Sequence, residues 1–328
     1  MTSSGIFIKF LVDISEFTIS NDIIGSGTFG VVKKGKSPKK NNQKETECAI
    51  KYIKADKIKT RDDHEKLINE IRCQTKLNYI GIMPLIGYSI PFMGIGSYTI
   101  ITPFMPNGSL SSLIQEVSIG NSPENWETIK AINIFGIAAG MAYVHQNGII
   151  HRDLKTENVM LDENYLPKIA DFGLSRVFQK DTEEKTIMTV GVGTPIYMAP
   201  ELFLEDHYTN KIDVFAYAII LYEILTQNKP YYEKENLSQY QIFRDVSQGL
   251  RPKIRQHEIS NNFANLIENC WAQDPDLRPS FIKIVKDFLD HVSDYFDINI
   301  IDEIFFNDYI EQATKSLDFS VLVNKKNI

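Results

Sequence analysis

The chain has 328 residues, of which 43% are hydrophobic and 23% charged, and its formal net charge is −7. This balance is that of an ordinary globular protein, so it excludes a largely disordered or collagen-like chain. The negative net charge argues against a general nucleic-acid binder. The longest apolar runs fall well short of the roughly 20 residues that a membrane-spanning helix needs, so we expect no membrane insertion.

The chain contains three cysteines, Cys48, Cys73 and Cys270, which cannot form a disulfide framework. They share no C-x-x-C spacing, which argues against a structural zinc site. A reducing compartment fits this cysteine content best, so we expect a cytoplasmic protein.

The first hundred residues are predicted to form mainly strands with one polar loop, at residues 37–47. The predicted strands are short apolar runs at residues 17–24, 31–32, 48–53 and 94–106. Since they are separated by turn residues and short loops, they predict a sheet in this part of the chain.

Residues 62–77 are predicted to form a helix, with Leu67, Ile68, Ile71 and Thr75 on its buried face because they recur at helical spacing. Further helices are predicted at residues 128–146, 211–226, 240–247, 262–272 and 281–291. The length suggests two domains or one large two-lobed domain. This order of elements predicts an α+β fold, with a β-rich N-lobe followed by a helical C-lobe.

The C-terminal segment, residues 292–328, belongs to an acidic stretch. Between residues 287 and 311 there are eight Asp or Glu and no Lys or Arg, with apolar clusters among them. We expect this segment to pack on the helical lobe. A docking element for a regulatory partner is the alternative that the sequence leaves open.

A glycine-rich motif, GSGTFG, occupies residues 25–30. Taken alone it fits a dinucleotide-binding turn, a hairpin that covers phosphates, or an ordinary turn. Val31 and Val32 then continue a strand, whereas a dinucleotide-binding turn opens a helix. The motif therefore favours a hairpin whose backbone N–H groups can lie over a nucleotide's phosphates.

A lysine, Lys51, lies on a predicted strand within the run Ala49-Ile50-Lys51. Such a lysine is often an edge residue whose ammonium reaches water. Here Glu70 follows on the next helix, and the two side chains can form a pair that holds the ammonium toward phosphate oxygens.

Three further motifs follow in the chain: HRDLKTEN at residues 151–158, DFG at 171–173 and APE at 199–201. With the glycine motif and the lysine strand, they stand in the order and spacing of eukaryotic protein kinases. The chain resembles that family over roughly residues 17–291.

This resemblance implies a two-lobed protein-kinase-like fold with defined boundaries. A kinase domain is expected over residues 17–291, preceded by an N-terminal extension at 1–16 and followed by the acidic tail at 292–328. Within the domain the resemblance places the N-lobe at about 17–102, the hinge at 103–106 and the C-lobe at 107–291.

The resemblance also implies an activity, namely transfer of the γ-phosphoryl group of ATP to protein hydroxyls in signalling, with Mg²⁺ or Mn²⁺. Asp153 is expected to accept the substrate's proton and Lys155 to neutralise the transferred group. Lys51, paired with Glu70, is expected to bind the phosphates. Asn158 and Asp171 are the expected metal ligands, because Mg²⁺ favours oxygen donors.

The nucleotide site can be assigned by the same resemblance. Thr102 is the expected gatekeeper, and the hinge contributes the carbonyl of Pro103 and the N–H of Met105. The full set of expected nucleotide- and metal-binding residues is Ile24, Gly25, Gly27, Gly30, Val32, Ala49, Lys51, Thr102, Pro103, Met105, Asn158, Met160 and Asp171.

Two groups of residues bear on the substrate hydroxyl. Lys155 and residues 193–201 follow the Ser/Thr pattern, whereas residues 219–226 and 270–279 are similar to tyrosine kinases and tyrosine-kinase-like kinases. This mixture resembles the tyrosine-kinase-like group, which mostly phosphorylates Ser and Thr. A tyrosine or dual-specificity kinase is the alternative, followed by a pseudokinase scaffold, although the catalytic residues are complete.

The resemblance gives four further expectations. Glu201 and Arg278 form a buried ion pair, and Asp213 braces the backbone of the HRD motif. Gln74 stands where the family usually has an apolar residue, and a buried glutamine needs partners. We expect an activating phosphate on Thr189.

Overall fold

The computed structural model describes residues 8–27, 30–39, 45–53, 58, 60–91, 97–177, 194–204, 208–234, 236–255 and 259–322. The chain divides into two compact units. The first comprises Met1–Asn78, Ile82–Pro106 and Asp171–Gly173, and the second comprises Tyr79–Gly81, Asn107–Ala170 and Leu174–Ile328. A five-stranded antiparallel sheet lies in the first unit and most helices lie in the second, which confirms the two-lobed α+β prediction.

The sheet of the first unit has the strand order β1-β2-β3-β5-β4. Its strands are β1 (Thr18–Gly27), β2 (Gly30–Lys36), β3 (Glu47–Ile53), β4 (Gly87–Ser89) and β5 (Tyr98–Pro103). Strand β4 was not predicted, because three residues beginning with glycine are too short for an alternating pattern. The polar loop after β2 includes residues 40–44, which lie outside the described residues.

Helix α1 (Arg61–Lys76) connects β3 to β4. It begins at a capping box in which the Thr60 hydroxyl accepts from the Asp63 N–H and the Asp63 carboxylate accepts from the Thr60 N–H. These bonds satisfy backbone donors that the first turn would otherwise leave free, so the sequence fixes where the helix starts.

The buried face of α1 differs from the predicted one. Leu67, Glu70, Ile71 and Gln74 are buried, whereas Ile68 is 44% exposed. The buried residues follow the i, i+3, i+4, i+7 spacing of a helix face. Leu67 and Ile71 are buried as predicted, but Ile68 is not, because the buried face continues through the polar residues Glu70 and Gln74.

The second unit contains nine helices within the described ranges. They are α2 (Leu110–Ser118), α3 (Trp126–Gln146), α4 (Glu201–Leu204), α5 (Lys211–Thr226), α6 (Gln239–Ser247), α7 (Asn261–Cys270), α8 (Phe281–Asp290), α9 (Val292–Tyr295) and α10 (Glu303–Thr314). Helices α3 and α5 are buried along most of their length and form the core of this unit. None of the helices described is long and apolar enough to cross a membrane.

Two short antiparallel ribbons of the second unit flank the HRDLKTEN motif. Strand β6 (Ile149–Ile150) pairs with β9 (Arg176–Val177), and β7 (Val159–Leu161) pairs with β8 (Pro167–Ile169). The HRDLKTEN segment lies between β6 and β7, so both of its ends are held by sheet hydrogen bonds.

The acidic C-terminal segment packs on the second unit through helix α10, which contacts α3. Phe306, Tyr309 and Ala313 are its buried residues. Gly136 of α3 permits the close approach, because a Cβ there would overlap the Tyr309 hydroxyl. The Tyr79 hydroxyl donates to the Ala313 carbonyl at 2.7 Å. Over its described residues, 292–322, the segment is therefore part of the packed unit, as expected.

Candidate active site

Within the first unit, Lys51 of β3 forms an ion pair with Glu70 of α1. The Lys51 ammonium donates to the Glu70 Oε1 atom at 2.8 Å and to Oε2 at 3.0 Å. Asp171 Oδ1 lies 3.8 Å from the same ammonium. Glu70 is buried, while 30% of the Lys51 side chain is exposed, so the cation is fixed on one side and accessible on the other.

The charges of this group fix its protonation. Burial alone would lower the pKa of Lys51, but the carboxylates of Glu70 and Asp171 outweigh burial and raise it. Burial raises the pKa of Glu70, against the opposing charge of Lys51. Lys51 therefore stays protonated and carries a permanent positive charge.

The DFG motif brings Asp171 to this pair by an unusual backbone conformation. Asp171 has φ +63°, in the left-handed region that few residues other than glycine adopt. A Cβ on Gly173 would lie 3.3 Å from Asp171 Oδ1 and 3.5 Å from Glu70 Oε2. The glycine thus gives room for the two carboxylates, while the left-handed residue of the turn is Asp171.

The glycine motif lies where β1 turns into β2, as the hairpin prediction requires, with Thr28 and Phe29 outside the described residues. Gly25 pairs with Val32, and Gly27 pairs with Gly30. A Cβ on Gly30 would overlap the Tyr52 carbonyl oxygen of β3. Gly30 is therefore required by the sheet itself, whatever else the motif binds.

The other expected nucleotide-binding residues fall in both units. Val32 pairs with Lys51, and Ala49 pairs with Thr102, so these four lie on three adjacent strands of the first unit. In the same unit Pro103 ends β5, Met105 is buried, and Ile24 of β1 is 43% exposed. Met160 lies on β7 and Asn158 directly before it, both in the second unit.

The second unit gathers three polar residues around Asp153. The Asn158 amide nitrogen donates to the Asp153 carbonyl at 2.7 Å and to its Oδ2 at 3.0 Å. The Lys155 ammonium lies 3.1 Å from the same Oδ2 and donates to the Thr194 hydroxyl at 2.7 Å. The Thr194 hydroxyl donates to Asp153 Oδ1 at 3.5 Å. One oxygen of Asp153 is thus held firmly and the other only weakly.

Asp213 of helix α5 braces the backbone of the HRD motif, as expected. Its carboxylate accepts hydrogen bonds from the backbone N–H groups of His151 and Arg152, both at 2.9 Å. It also forms a hydrogen bond with His145 Nε2 at 2.8 Å. Burial alone would raise the pKa of Asp213, but these hydrogen bonds and the neighbouring histidines lower it. Arg152 has φ +72°, so Asp213 holds a strained backbone in place.

Asn158 of the second unit and Asp171 of the first unit are the two expected metal ligands. Because the Asn158 amide nitrogen is bound to Asp153, its Oδ1 is the atom left to coordinate. Asp171 adds a carboxylate that is 47% exposed. Over the described parts of the chain, no group of three or more His, Cys, Asp or Glu could hold a metal. The donors present are those of a hard cation such as Mg²⁺.

The predicted ion pair between Arg278 and Glu201 is present and fully buried. Arg278 Nη1 and Nη2 each donate to one carboxylate oxygen of Glu201 at 2.7 Å. The guanidinium also donates to the Ala272 and Lys211 carbonyls and lies over the Phe215 ring. This bidentate pair ties the APE motif to the end of the helical core.

One buried acidic residue, Glu223, was not identified from the sequence. Glu223 of α5 accepts from the Tyr197 hydroxyl at 2.6 Å and from the Thr156 hydroxyl at 3.4 Å. Burial raises the pKa of Glu223 to about 8, assisted by the charge of Glu157 and opposed by these two bonds. A charged residue inside the apolar run at 219–226 was the signal that could have revealed it.

We expect Glu223 to make the fold less stable as the pH rises. Because its pKa is raised to about 8 in the fold, its contribution is present at pH 4 and is lost as the pH rises toward 8. In Glu223→Gln, which cannot ionise, this loss is removed. Thermal unfolding should show the variant gaining about 1.4 kcal/mol relative to the wild type per pH unit between pH 5 and pH 8. A constant difference across that range would contradict the buried neutral acid.

A family model described as protein tyrosine and serine/threonine kinase matches residues 18–288. The chain belongs to this protein kinase family. Membership implies the use of ATP and a divalent metal ion.

Curated relatives of this chain include serine/threonine-protein kinases of Dictyostelium discoideum and Arabidopsis thaliana. The chain is 36% identical over 280 residues to "Probable serine/threonine-protein kinase drkC" of Dictyostelium discoideum. The aligned region covers 84% of this chain and 35% of drkC. The chain is 35% identical over 241 residues to "Serine/threonine-protein kinase STY17" of Arabidopsis thaliana, covering 73% of this chain and 40% of STY17. The kinase thus spans less than half the length of these relatives.

The structure of this kinase leaves one expected regulatory residue undescribed. Thr189 lies within residues 178–193, which are outside the described residues. The buried Gln74 is present as expected, at 5% exposure, and its Oε1 atom has no hydrogen-bond partner among the residues described.

Proposed function

We propose that the chain is a serine/threonine protein kinase that transfers the γ-phosphoryl group of ATP to protein hydroxyls, with Mg²⁺ or Mn²⁺, in signalling. The arrangement of Asp153, Lys155 and Thr194 carries this proposal. It places a carboxylate, a cation and a hydroxyl within hydrogen-bond reach of one another. The names of the relatives support the choice of Ser and Thr.

In this proposal Asp153 orients the substrate hydroxyl and accepts its proton. Its Oδ2 is held by Asn158 and Lys155, whereas among the residues described its Oδ1 has only the long contact to Thr194. The weakly held oxygen is the one free to take the proton. Lys155 supplies positive charge beside the same carboxylate, where a phosphoryl group in transfer carries negative charge.

Lys51 binds the phosphates of ATP with the exposed side of its ammonium, while Glu70 holds the other side. Asn158 and Asp171 hold the divalent ion, which neutralises negative charge on the phosphates. These residues do positioning and charge neutralisation, which is most of what phosphoryl transfer requires from a protein.

The adenine base is assigned to Val32, Ala49 and Met160, with Thr102 as gatekeeper. Pro103 contributes a carbonyl and Met105 an N–H to the base. The adjacency of Ala49 and Thr102 across β3 and β5 supports this assignment.

The proposal leaves the cell location and the regulatory partner as predictions. The three cysteines are free and buried, which agrees with a cytoplasmic protein. Helix α10 packs on α3. Ile304 of this helix is 77% exposed, and the partner of the acidic segment stays a prediction.

We expect Thr194→Val to lower kcat by about 100-fold, because Lys155 loses the hydroxyl that positions it beside Asp153. Valine keeps the shape of threonine, so packing is little changed. Thr194→Ser retains the hydroxyl and is the matched control. Steady-state kinetics with a protein substrate measure the effect, and a kcat for Thr194→Val equal to that of Thr194→Ser would contradict the assigned role.

The proposed activity is tested by incubating the purified chain with ATP labelled at the γ-phosphate and myelin basic protein. Label should enter the substrate with Mg²⁺ or Mn²⁺ and not with excess EDTA. Asp171→Asn should abolish transfer, because the metal loses a carboxylate ligand. Equal transfer in EDTA, or by the variant, would exclude the proposed metal site.

A further inference from the structure

Residues 10–14, here called the N-terminal strap, cover the free edge of strand β4. The Tyr88 N–H donates to the Phe10 carbonyl at 2.8 Å, and the Val12 N–H donates to the Tyr88 carbonyl at 3.0 Å. Leu11 thereby forms a parallel bridge to Tyr88. The strap satisfies backbone groups of β4 that an uncovered edge would expose.

The fit between the strap and β4 is close because of a glycine. A Cβ on Gly87 would lie 2.7 Å from Val12 Cγ1 and 3.1 Å from the Phe10 carbonyl oxygen. Any larger residue at this position would push the strap away from the strand. The contact therefore depends on residues of both the strap and β4, and each of the two can be substituted separately.

The strap also packs on the interior of the first unit. Val12 and Ile14 lie against a buried cluster that includes Ile50 of β3. Phe10 lies against a second cluster, formed by Ile53, Ile58, Leu67, Ile71, Leu85, Tyr88 and Ile100.

This second cluster joins the two elements that carry the Lys51–Glu70 pair. Ile53 lies two residues after Lys51 on β3, and Ile71 directly follows Glu70 on α1. Phe10 is partly buried against this cluster. Packing at Phe10 therefore supports both sides of the ion pair.

Helix α1 needs such support because its own buried face is poorly apolar. Glu70 and Gln74 are both buried, and the Gln74 Oε1 has no hydrogen-bond partner within the described ranges. A buried acceptor without a partner costs free energy. Packing from outside the helix has to offset this cost for α1 to keep its position.

We infer that Phe10, held in place by the strap, is a positioning residue for the Lys51–Glu70 pair and acts through helix α1. The inference rests on the proposed kinase activity for its kinetic consequence. Its structural consequence, the stability of α1, can be measured without that activity.

The test compares Phe10→Ala and Gly87→Ala with Leu11→Ala, since Leu11 belongs to the same strap but is 45% exposed. Hydrogen exchange is measured over α1 and over α5. The kcat and KM values are measured with ATP and myelin basic protein. Both test variants should speed exchange in α1 by about tenfold and lower kcat by about tenfold. Exchange in α5 and the KM for the protein substrate should stay unchanged, and Phe10→Leu should restore kcat.

Different results separate the two hypotheses. A wild type that transfers no phosphate would refute the proposed function, while exchange in α1 would still report on the strap. Exchange in α1 equal to that of Leu11→Ala would overturn the inference. Faster exchange in α5 to the same extent as in α1 would overturn it too, because the strap would then have only a general structural role.

Discussion

Replacing Lys51 with methionine should lower phosphoryl transfer by about 1,000-fold while the protein stays folded. The substitution removes the cation assigned to the phosphates and keeps the length of the side chain. It also leaves Glu70 buried without its partner, so this carboxylate is expected to take up a proton. The measurement is kcat with a protein substrate, beside thermal unfolding to show that the fold is retained.

A matched control for this variant exists on the neighbouring strand. Lys34 of β2 forms an ion pair of the same length, 2.8 Å, with Glu47, and its side chain is 33% exposed. Lys34→Met should keep nearly full activity, because Lys34 pairs with Glu47 and is not among the residues assigned to the phosphates. Activity of Lys51→Met within about tenfold of the wild type would contradict a phosphate-binding role. An equal loss in Lys34→Met would contradict it as well.

Replacing Arg278 with methionine should destabilise the second unit by about 3–5 kcal/mol, because it leaves the Glu201 carboxylate buried and unpaired. Both side chains are almost fully buried, at 0% and 3% exposure, so water cannot replace the lost bonds. Denaturant unfolding followed by the intrinsic fluorescence of the chain measures the effect. Adding Glu201→Leu to this variant should recover part of the loss.

The surface pair Lys286–Asp290 provides the control for Arg278. Its side chains are 49% and 48% exposed, so Lys286→Met should cost no more than about 1 kcal/mol. An equal loss of stability in Arg278→Met and Lys286→Met would show that burial of the Arg278 pair has no energetic consequence. A double variant as unstable as Arg278→Met would show that the unpaired Glu201 is not the cause.

The sequence predicted elements well where local signals agree. Helix α5 has the predicted bounds, residues 211–226, because a long apolar run is followed by polar residues. Strand β4 was missed since it has three residues. Helix α10 was missed since its apolar residues face both ways, with Phe306 buried and Ile304 77% exposed. Short or two-faced segments acquire their structure from packing, which periodicity does not report.

In the candidate site as well, contacts within one motif were predictable and contacts between distant residues were not. Asp153 and Asn158 are five residues apart, so one motif predicts both, and their hydrogen bonds follow from a local turn. Glu223 gains its role from contact with Tyr197, which lies 26 residues earlier. The strap at residues 10–14 looked like an extension, because its partner Tyr88 is remote in the chain. Contacts between distant residues of this kind become visible only in the fold.

Phosphoamino-acid analysis tests the proposed serine/threonine kinase most directly. Three peptides that differ only in a central Ser, Thr or Tyr are incubated with the wild type and with Asp153→Asn in the presence of Mg²⁺ and labelled ATP. The wild type should label the Ser and Thr peptides, and the variant should label none, because Asp153 is the assigned proton acceptor. Label mainly on tyrosine, or equal labelling by Asp153→Asn, would contradict the proposal.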